Sequence, residues 1–233
     1  MYEKHENIVT PRKSTVIWRY MSFEKFLGLL CDESLFLTRM DGFVDKWEGV
    51  LPETLVNASW KGPNGELMGY VVKESRKFFY VNCWHMSDVE SAALWHLYGN
   101  SPCVAIQSTI GSLIGSISDD KTVYIGRVQY CDYDKYNRPP KKPFALMEPA
   151  FLKRRSFDHE KELRILHWEP VVKGKKPSAN HKLSVKLNTL LNSVFISPTS
   201  PKWLEQYVRV VMNKFGMDTV PVNMSTLYDE HIG

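Results

Sequence analysis

Apolar positions along the chain change period from segment to segment, and those changes mark its elements. Val16 to Tyr20 (VIWRY) is β-branched and aromatic and predicts a strand. Ser22 follows as an N-cap, and Phe23, Phe26, Leu27 and Leu30 at helical spacing predict an amphipathic helix. Leu35 to Thr38 predicts a second strand. Met40 to Pro52 reads as a loop holding Asp45, Trp47 and Glu48, and the stretch up to Gly69 as irregular or weakly helical, with a turn at Gly62-Pro63-Asn64-Gly65. Phe78 to Trp84 (FFYVNCW) is an apolar strand. Ser87-Asp88-Val89-Glu90 then has the capping-box pattern of a helix that carries Leu94, Leu97 and Tyr98 on one side and stops at Gly99.

Further along, Cys103 to Gln107 and Val123 to Tyr130 predict strands on either side of a segment rich in Ile, Gly and Ser. Beyond a proline-rich loop at residues 137–143, Phe151 to Glu162 leads into a strand over Leu163 to His167. Lys182 to Leu187 alternates polar and apolar, and Val194 to Ser197 predicts another short strand. Ser200-Pro201 caps a helix with Leu204, Tyr207, Val208, Val211 and Phe215 inward and Gly216 at its end. Helices are too few for regular β-α-β winding, so the pattern predicts an α+β fold with a mixed β-sheet core and flanking helices. With no repeat and no break in composition, the expected layout is an N-terminal extension over residues 1–15 and a single domain over 16–233.

Composition narrows the classes. Of the 233 residues 43% are hydrophobic and 24% charged, ordinary for a packed globular chain and unlike a disordered one. Met1 to Thr15 lacks the apolar core of a signal peptide and no segment suits a bilayer span, so a cytoplasmic location without membrane contact is expected. Cys31, Cys83, Cys103 and Cys131 are scattered with no C-x-x-C pair; they read as reduced, mostly buried thiols, and no metal site is expected. The net charge of +4 does not by itself demand a nucleic-acid partner. Basic residues gather at Lys135, Arg138, Lys141 and Lys142, at Lys153, Arg154 and Arg155, and at Lys173, Lys175 and Lys176. The first and third groups sit among Pro and Gly and read as solvated loops.

Three polar islands interrupt the apolar strands. Arg19 lies between Trp18 and Tyr20; its fork of donors suits carboxylate or phosphate, while plain alternation puts it on the solvent face of an edge strand. Cys83-Trp84-His85-Met86-Ser87 stands at a strand-to-helix junction, where backbone donors and a hydroxyl can meet a ligand, although Ser87 equally suits a plain N-cap. On the helix that follows, Trp95 and Tyr98 are either core or stacking partners for a planar cation such as nicotinamide. The third island is Lys153 to Arg164 (KRRSFDHEKELR). If its strand begins early, Glu160 and Glu162 share a face that Arg164 continues, which fits either a catalytic carboxylate beside phosphate-binding arginines or a surface salt-bridge ladder.

The ordered set W-R-Y-M-S-F-E-K-F, D-K-W-E-G, C-W-H-M-S with A-L-W-H-L-Y, K-R-R-S-F-D-H-E-K-E-L-R and V-F-I-S-P-T resembles the bacterial and phage family named domain of unknown function 2971, from about residue 16 to about residue 227. That name carries no activity; where the family occurs implies a part in conflict between phage and bacterium. A second, weaker resemblance is to ADP-ribosyltransferases, which place an Arg or His on the first core strand, a Ser-containing strand before a helix with aromatics, and a late Glu-x-Glu that begins another strand. Here Arg19, the Cys83 to Ser87 segment and Glu160-Lys161-Glu162 take those places, with Cys83-Trp84-His85 where that family has Ser-Thr-Ser.

The second resemblance implies NAD as substrate, cleavage of its nicotinamide–ribose bond and transfer of ADP-ribose to a protein or nucleic-acid acceptor. Glu162 would grip the ribose hydroxyl as oxocarbenium character develops, and Glu160 would orient the acceptor. Arg19, with Tyr20 beside it, would anchor the diphosphate or the adenosine ribose. Cys83 and Ser87 would border the cofactor, and Trp84, Trp95 or Tyr98 would pack the nicotinamide ring. Arg154, Arg155, Arg164, Asp45 and Glu48 would contact the acceptor. Two other classes stay open: a non-catalytic domain that binds a nucleotide or a protein, and a nuclease holding a divalent metal through Asp45, Glu48, Asp158, Glu160 and Glu162. Against the nuclease, no D…E-x-K arrangement is clean, and Arg155 and Arg164 would oppose a cation there.

Overall fold

The strand–helix–strand opening of the sequence is the opening of the fold: β1 (Val16–Ser22), α1 (Phe23–Asp32) and β2 (Ser34–Arg39). The computed structural model describes residues 1–52, 63–98, 102–136, 147–169, 174 and 176–229. After β2 come α2 (Pro63–Ser75), β3 (Phe79–Met86), α3 (Ala92–Tyr98), β4 (Cys103–Thr109), α4 (Ile110–Ser116), β5 (Val123–Arg127) and β6 (Gln129–Cys131). The chain continues through β7 (Leu152–Arg154), β8 (Glu162–Trp168), β9 (Asn180–Ser184), α5 (Leu187–Leu190), β10 (Ser193–Ile196), α6 (Trp203–Lys214) and β11 (Val222–Met224). Strand pairing is mostly antiparallel with two parallel pairs, so the fold class is α+β with a mixed sheet, as the pattern predicts.

Two units divide the chain, one of Met1–Thr10, Phe36–Cys83 and Asp120–Lys182, the other of Pro11–Leu35, Trp84–Asp119 and Leu183–Gly233. In the first, β8 lies between β5 and β3, and β3 has β2 as its other neighbour. β5 runs antiparallel to β8 with Gly126 opposite Arg164. From Glu162 to His167 β8 is buried on both faces, which is why Leu163, Ile165 and Leu166 break the simple polar–apolar alternation of a half-exposed strand. Residues 1–10 belong to this unit: the Glu3 amide donates to the Val123 carbonyl, and Ile8 joins Met40, Phe79, Val81, Met147, Ala150, Phe151 and Leu166 in one cluster. β6 and β7 form a separate parallel pair that sets Tyr130 beside Lys153.

In the second unit β1 runs antiparallel to β4 and, at its other side, to the end of β3; β10 follows β4 antiparallel, and β11 follows β10 in parallel. β1 is therefore an interior strand. The expectation of Arg19 on an edge strand is corrected by this pairing: its same-face neighbours Ile17 and Met21 are buried, and Arg19 itself is half-buried.

Several element boundaries differ from the sequence reading, each for a physical reason. The turn expected around Pro63 is the first turn of α2, because proline's fixed φ suits the first helical position; Gly62 lies outside the described residues. The helix after β3 begins at Ala92 rather than after Ser87, and Ser91 is its cap, accepting from the Leu94 amide at 3.4 Å. On that helix Leu94 and Trp95 are buried while Leu97 and Tyr98 are exposed, so the inward face is rotated from the expected one. The Ile-Gly-Ser-rich segment is α4, capped by Thr109, whose hydroxyl accepts from the Ser112 amide at 3.0 Å. In α6, Leu204, Val208 and Met212 are buried, whereas Tyr207 and Phe215, expected inward, are exposed; Gly216 ends the helix at φ +69°, as expected. Gly99, the proline-rich loop at 137–143 and Lys173 and Lys175 lie outside the described residues.

Candidate functional site

Within the first unit the KRRSFDHEKELR segment folds back on itself. Lys153 and Arg154 sit on β7, residues 155–160 make a 3-10 turn, Lys161 takes a left-handed conformation at φ +40°, and β8 starts at Glu162. The strand thus does not begin early, and Glu160 and Glu162 do not share a strand face. Instead the left-handed step at Lys161 lets both carboxylates reach Lys153: its Nζ lies 3.4 Å from Glu162 Oε2, 3.3 Å from Glu48 Oε1 and in contact with Glu160.

Arg164, two residues along β8, continues the face of Glu162 as expected. Its Nε donates to Glu162 Oε1 at 3.0 Å and an Nη to Oε2 at 2.8 Å. The same Nη donates to Glu48, and the other donates to the Ala150 carbonyl at 2.6 Å. Arg164 has no exposed surface, and Glu48, Lys153 and Glu162 are 4–6% exposed. Glu160 is the outlying member, its side chain 25% exposed. The surface salt-bridge ladder read from the sequence is therefore a buried network.

Among the described residues, three carboxylates, of Glu48, Glu160 and Glu162, gather around two cations, of Lys153 and Arg164. Burial alone would raise the carboxyl pKa of Glu162, but Arg164 and Lys153 outweigh it and pull the value down to about 2. Burial likewise works against charge on Lys153 and Arg164, and the carboxylates of Glu162 and Glu48 overcome it and hold both pKa values above their usual range. Cys83, on β3, faces the same group: burial and then the Glu162 charge push its thiol well up, so it acts as a neutral donor to the carboxylate.

Beside the network, Arg154 makes a two-point ion pair with Asp45, at 3.1 and 3.2 Å, and its guanidinium lies near the rings of Trp47 and Phe157. Arg155 is exposed. Asp45, Glu48, Cys83, Arg154, Glu160, Glu162 and Arg164 are thus gathered in one unit. Lys153, at the centre of the network, stands in the sequence as the first residue of a basic run and of the KRRSFDHEKELR island. Its signal in the sequence is its place between Leu152 and the strand of Glu162, where a lysine without carboxylate partners would be costly. Among the described residues, no group of three or more His, Cys, Asp or Glu side chains is arranged to hold a metal ion.

The second unit gathers the aromatic candidates. Tyr20 and Trp95 meet edge to face at 4.9 Å, Trp18 packs on Phe195 at the same distance, and Leu94, Cys103 and Ala105 complete the cluster. The polar edges are satisfied within it: Tyr20 Oη accepts from the Ser91 amide at 2.8 Å, and Trp95 Nε1 donates to Glu90 at 2.8 Å. Burial, partly countered by that amide, lifts the Tyr20 phenol to about 12. Trp84 and Trp95 are both 2% exposed. Ser87 turns its hydroxyl to the Val89 amide at 3.2 Å and its carbonyl to Trp18 Nε1 at 2.8 Å, and Tyr98 is exposed. Arg19 stands on β1 between Trp18 and Tyr20.

Among the described residues, no helix is long and apolar enough to cross a membrane. No protein-family model and no curated protein matches the sequence, so the likeness to the family of unknown function rests on the quoted motifs alone. Among solved structures, the chain is similar to DarT of Thermus sp. 2.9 in complex with NAD+, at a TM-score of 0.43 and 11% identity over 93% of this chain and 98% of that one. It is also similar to Thermus sp. 2.9 DarT in complex with ADP-ribosylated ssDNA, at a TM-score of 0.42 and 12% identity over 93% of this chain and 96% of that one.

Proposed function

We propose that this protein is an ADP-ribosyltransferase-like enzyme that cleaves the nicotinamide–ribose bond of NAD and passes ADP-ribose to a protein or nucleic-acid acceptor. The observation that carries the reading is the gathering of the Glu48, Glu160 and Glu162 carboxylates around Lys153 and Arg164, with Glu160 at the accessible edge of the group. Breaking that bond builds positive charge on the ribose. In bound NAD that charge sits on the nicotinamide ring, so a fixed carboxylate at the ribose holds the transition state more tightly than the substrate.

Glu160 then meets the ribose, and Glu162, enclosed by Arg164, fixes the charge behind it. This reverses the roles that the Glu-x-Glu resemblance implies. Arg154 and Arg155 serve an anionic acceptor. The test is nicotinamide release on incubation with NAD and candidate acceptors. Release that depends on Glu160 supports the proposal, and a protein that neither binds NAD nor releases nicotinamide overturns it.

One observation favours a second reading. Arg164 occupies both oxygens of Glu162, as a purely structural pair would. A nucleotide-binding domain without turnover is consistent with that closure, and calorimetric NAD binding with no nicotinamide release would establish it.

A further inference from the structure

Helix α6 carries two apolar rows. Leu204, Val208 and Met212 are buried. Roughly a third of a turn around the axis, Trp203, Tyr207, Val210 and Lys214 form a second row, at intervals of four, three and four residues. Its three apolar members are 51%, 57% and 47% exposed. Scattered apolar residues at a surface are ordinary, but a continuous line with an aromatic pair is not. The rings of Trp203 and Tyr207 already meet edge to face at 5.6 Å, so the row is ordered before anything docks on it.

Size and charge reverse along this row. Its N-terminal half holds the two bulky rings, and its C-terminal half a valine and an ammonium. When two such rows lie antiparallel about a two-fold axis between Val208 and Arg209, Trp203 faces the partner's Lys214 and Tyr207 faces the partner's Val210. Bulky side chains then fill the space beside small ones, and each indole face receives a cation. A row with uniform side chains would not distinguish its own copy from another apolar surface. We propose that this row is a self-complementary interface through which two copies of the chain associate. Contact along about three helical turns is smaller than a standard interface, so the association is weak and depends on concentration.

Sedimentation velocity on the full chain, from low micromolar to several hundred micromolar, tests this directly. A dimer that grows with concentration is expected, with Tyr207→Lys weakening it by at least about tenfold while the circular dichroism spectrum stays unchanged. Adding Val210→Asp to that variant sets a carboxylate opposite each introduced lysine and restores association. A chain that stays monomeric throughout, a dimer indifferent to Tyr207→Lys, or a double variant as weak as the single one overturns the proposal.

Discussion

Arg164 holds both carboxylate oxygens of Glu162 from two residues along the same strand, at 3.0 and 2.8 Å, in a place where both residues are buried. Their alternation on β8 creates the pair, and burial makes it consequential. Removing the guanidinium leaves the Glu162 and Glu48 carboxylates without their main partner. Arg164→Met is therefore expected to lower unfolding free energy by about 3–5 kcal/mol, read from the urea midpoint. Arg164→Lys recovers only part of that loss, because an ammonium cannot span both oxygens and the Ala150 carbonyl.

Acid should weaken the fold through the same pair. The Glu162 pKa falls from 4.5 to about 2 on folding, so its contribution is full above the unfolded value and is lost as pH drops through the window between the two. The shift corresponds to about 3 kcal/mol. Urea midpoints measured from pH 5 down to pH 2 should fall steadily, and in Glu162→Gln, already destabilised at neutral pH, the slope should be much flatter. Equal slopes would mean that other carboxylates dominate.

Gly126 tests how tightly the N-terminal residues pack on the first unit. A Cβ there would clash with Ile8 Cγ2 and come within 3.3 Å of the Phe151 ring, and the branched Ile8 side chain has little room to withdraw. Gly126→Ala should cost about 1–3 kcal/mol. Adding Ile8→Ala should remove part of that cost if the clash is the cause, and thermal midpoints of the single and double variants decide it.

The two serines of the β3–α3 junction separate a cap from a turn. Ser91→Ala should cost about 1 kcal/mol, since its hydroxyl accepts from the Leu94 amide in the first turn of α3. Ser87→Ala should cost less, because the Ser87 hydroxyl serves only a local turn at Val89. Comparable losses at both positions would contradict this assignment.

Much of this architecture could be read from the sequence, and the exceptions have a common cause. β1, α1, the core of β8 and the end of α6 at Gly216 follow from local periodicity and capping chemistry. Glu162 and Arg164 could be put on one face because a strand has period two. The sequence could not reveal how Glu48 and Lys153 join this network, since Glu48 lies 116 residues before Arg164 and Lys153 reaches the carboxylates across the turn at residues 155–160. Nor could it place Glu160, whose position depends on a left-handed backbone at Lys161, a conformation that lysine rarely adopts. At the β3–α3 junction the capping-box pattern falls on Ser87, whereas the helix is capped four residues later by Ser91, which lacks a Glu or Gln at the third helical position.

The most direct test of the proposed chemistry is the single-turnover rate of nicotinamide release from NAD by wild type and by Glu160→Gln, a change at the accessible edge of the network. If the Glu160 carboxylate stabilises the charge that develops on the ribose, Glu160→Gln slows release by about 100-fold or more while the far-UV spectrum and NAD affinity stay near wild type. Release at equal rates from the two proteins would contradict the account.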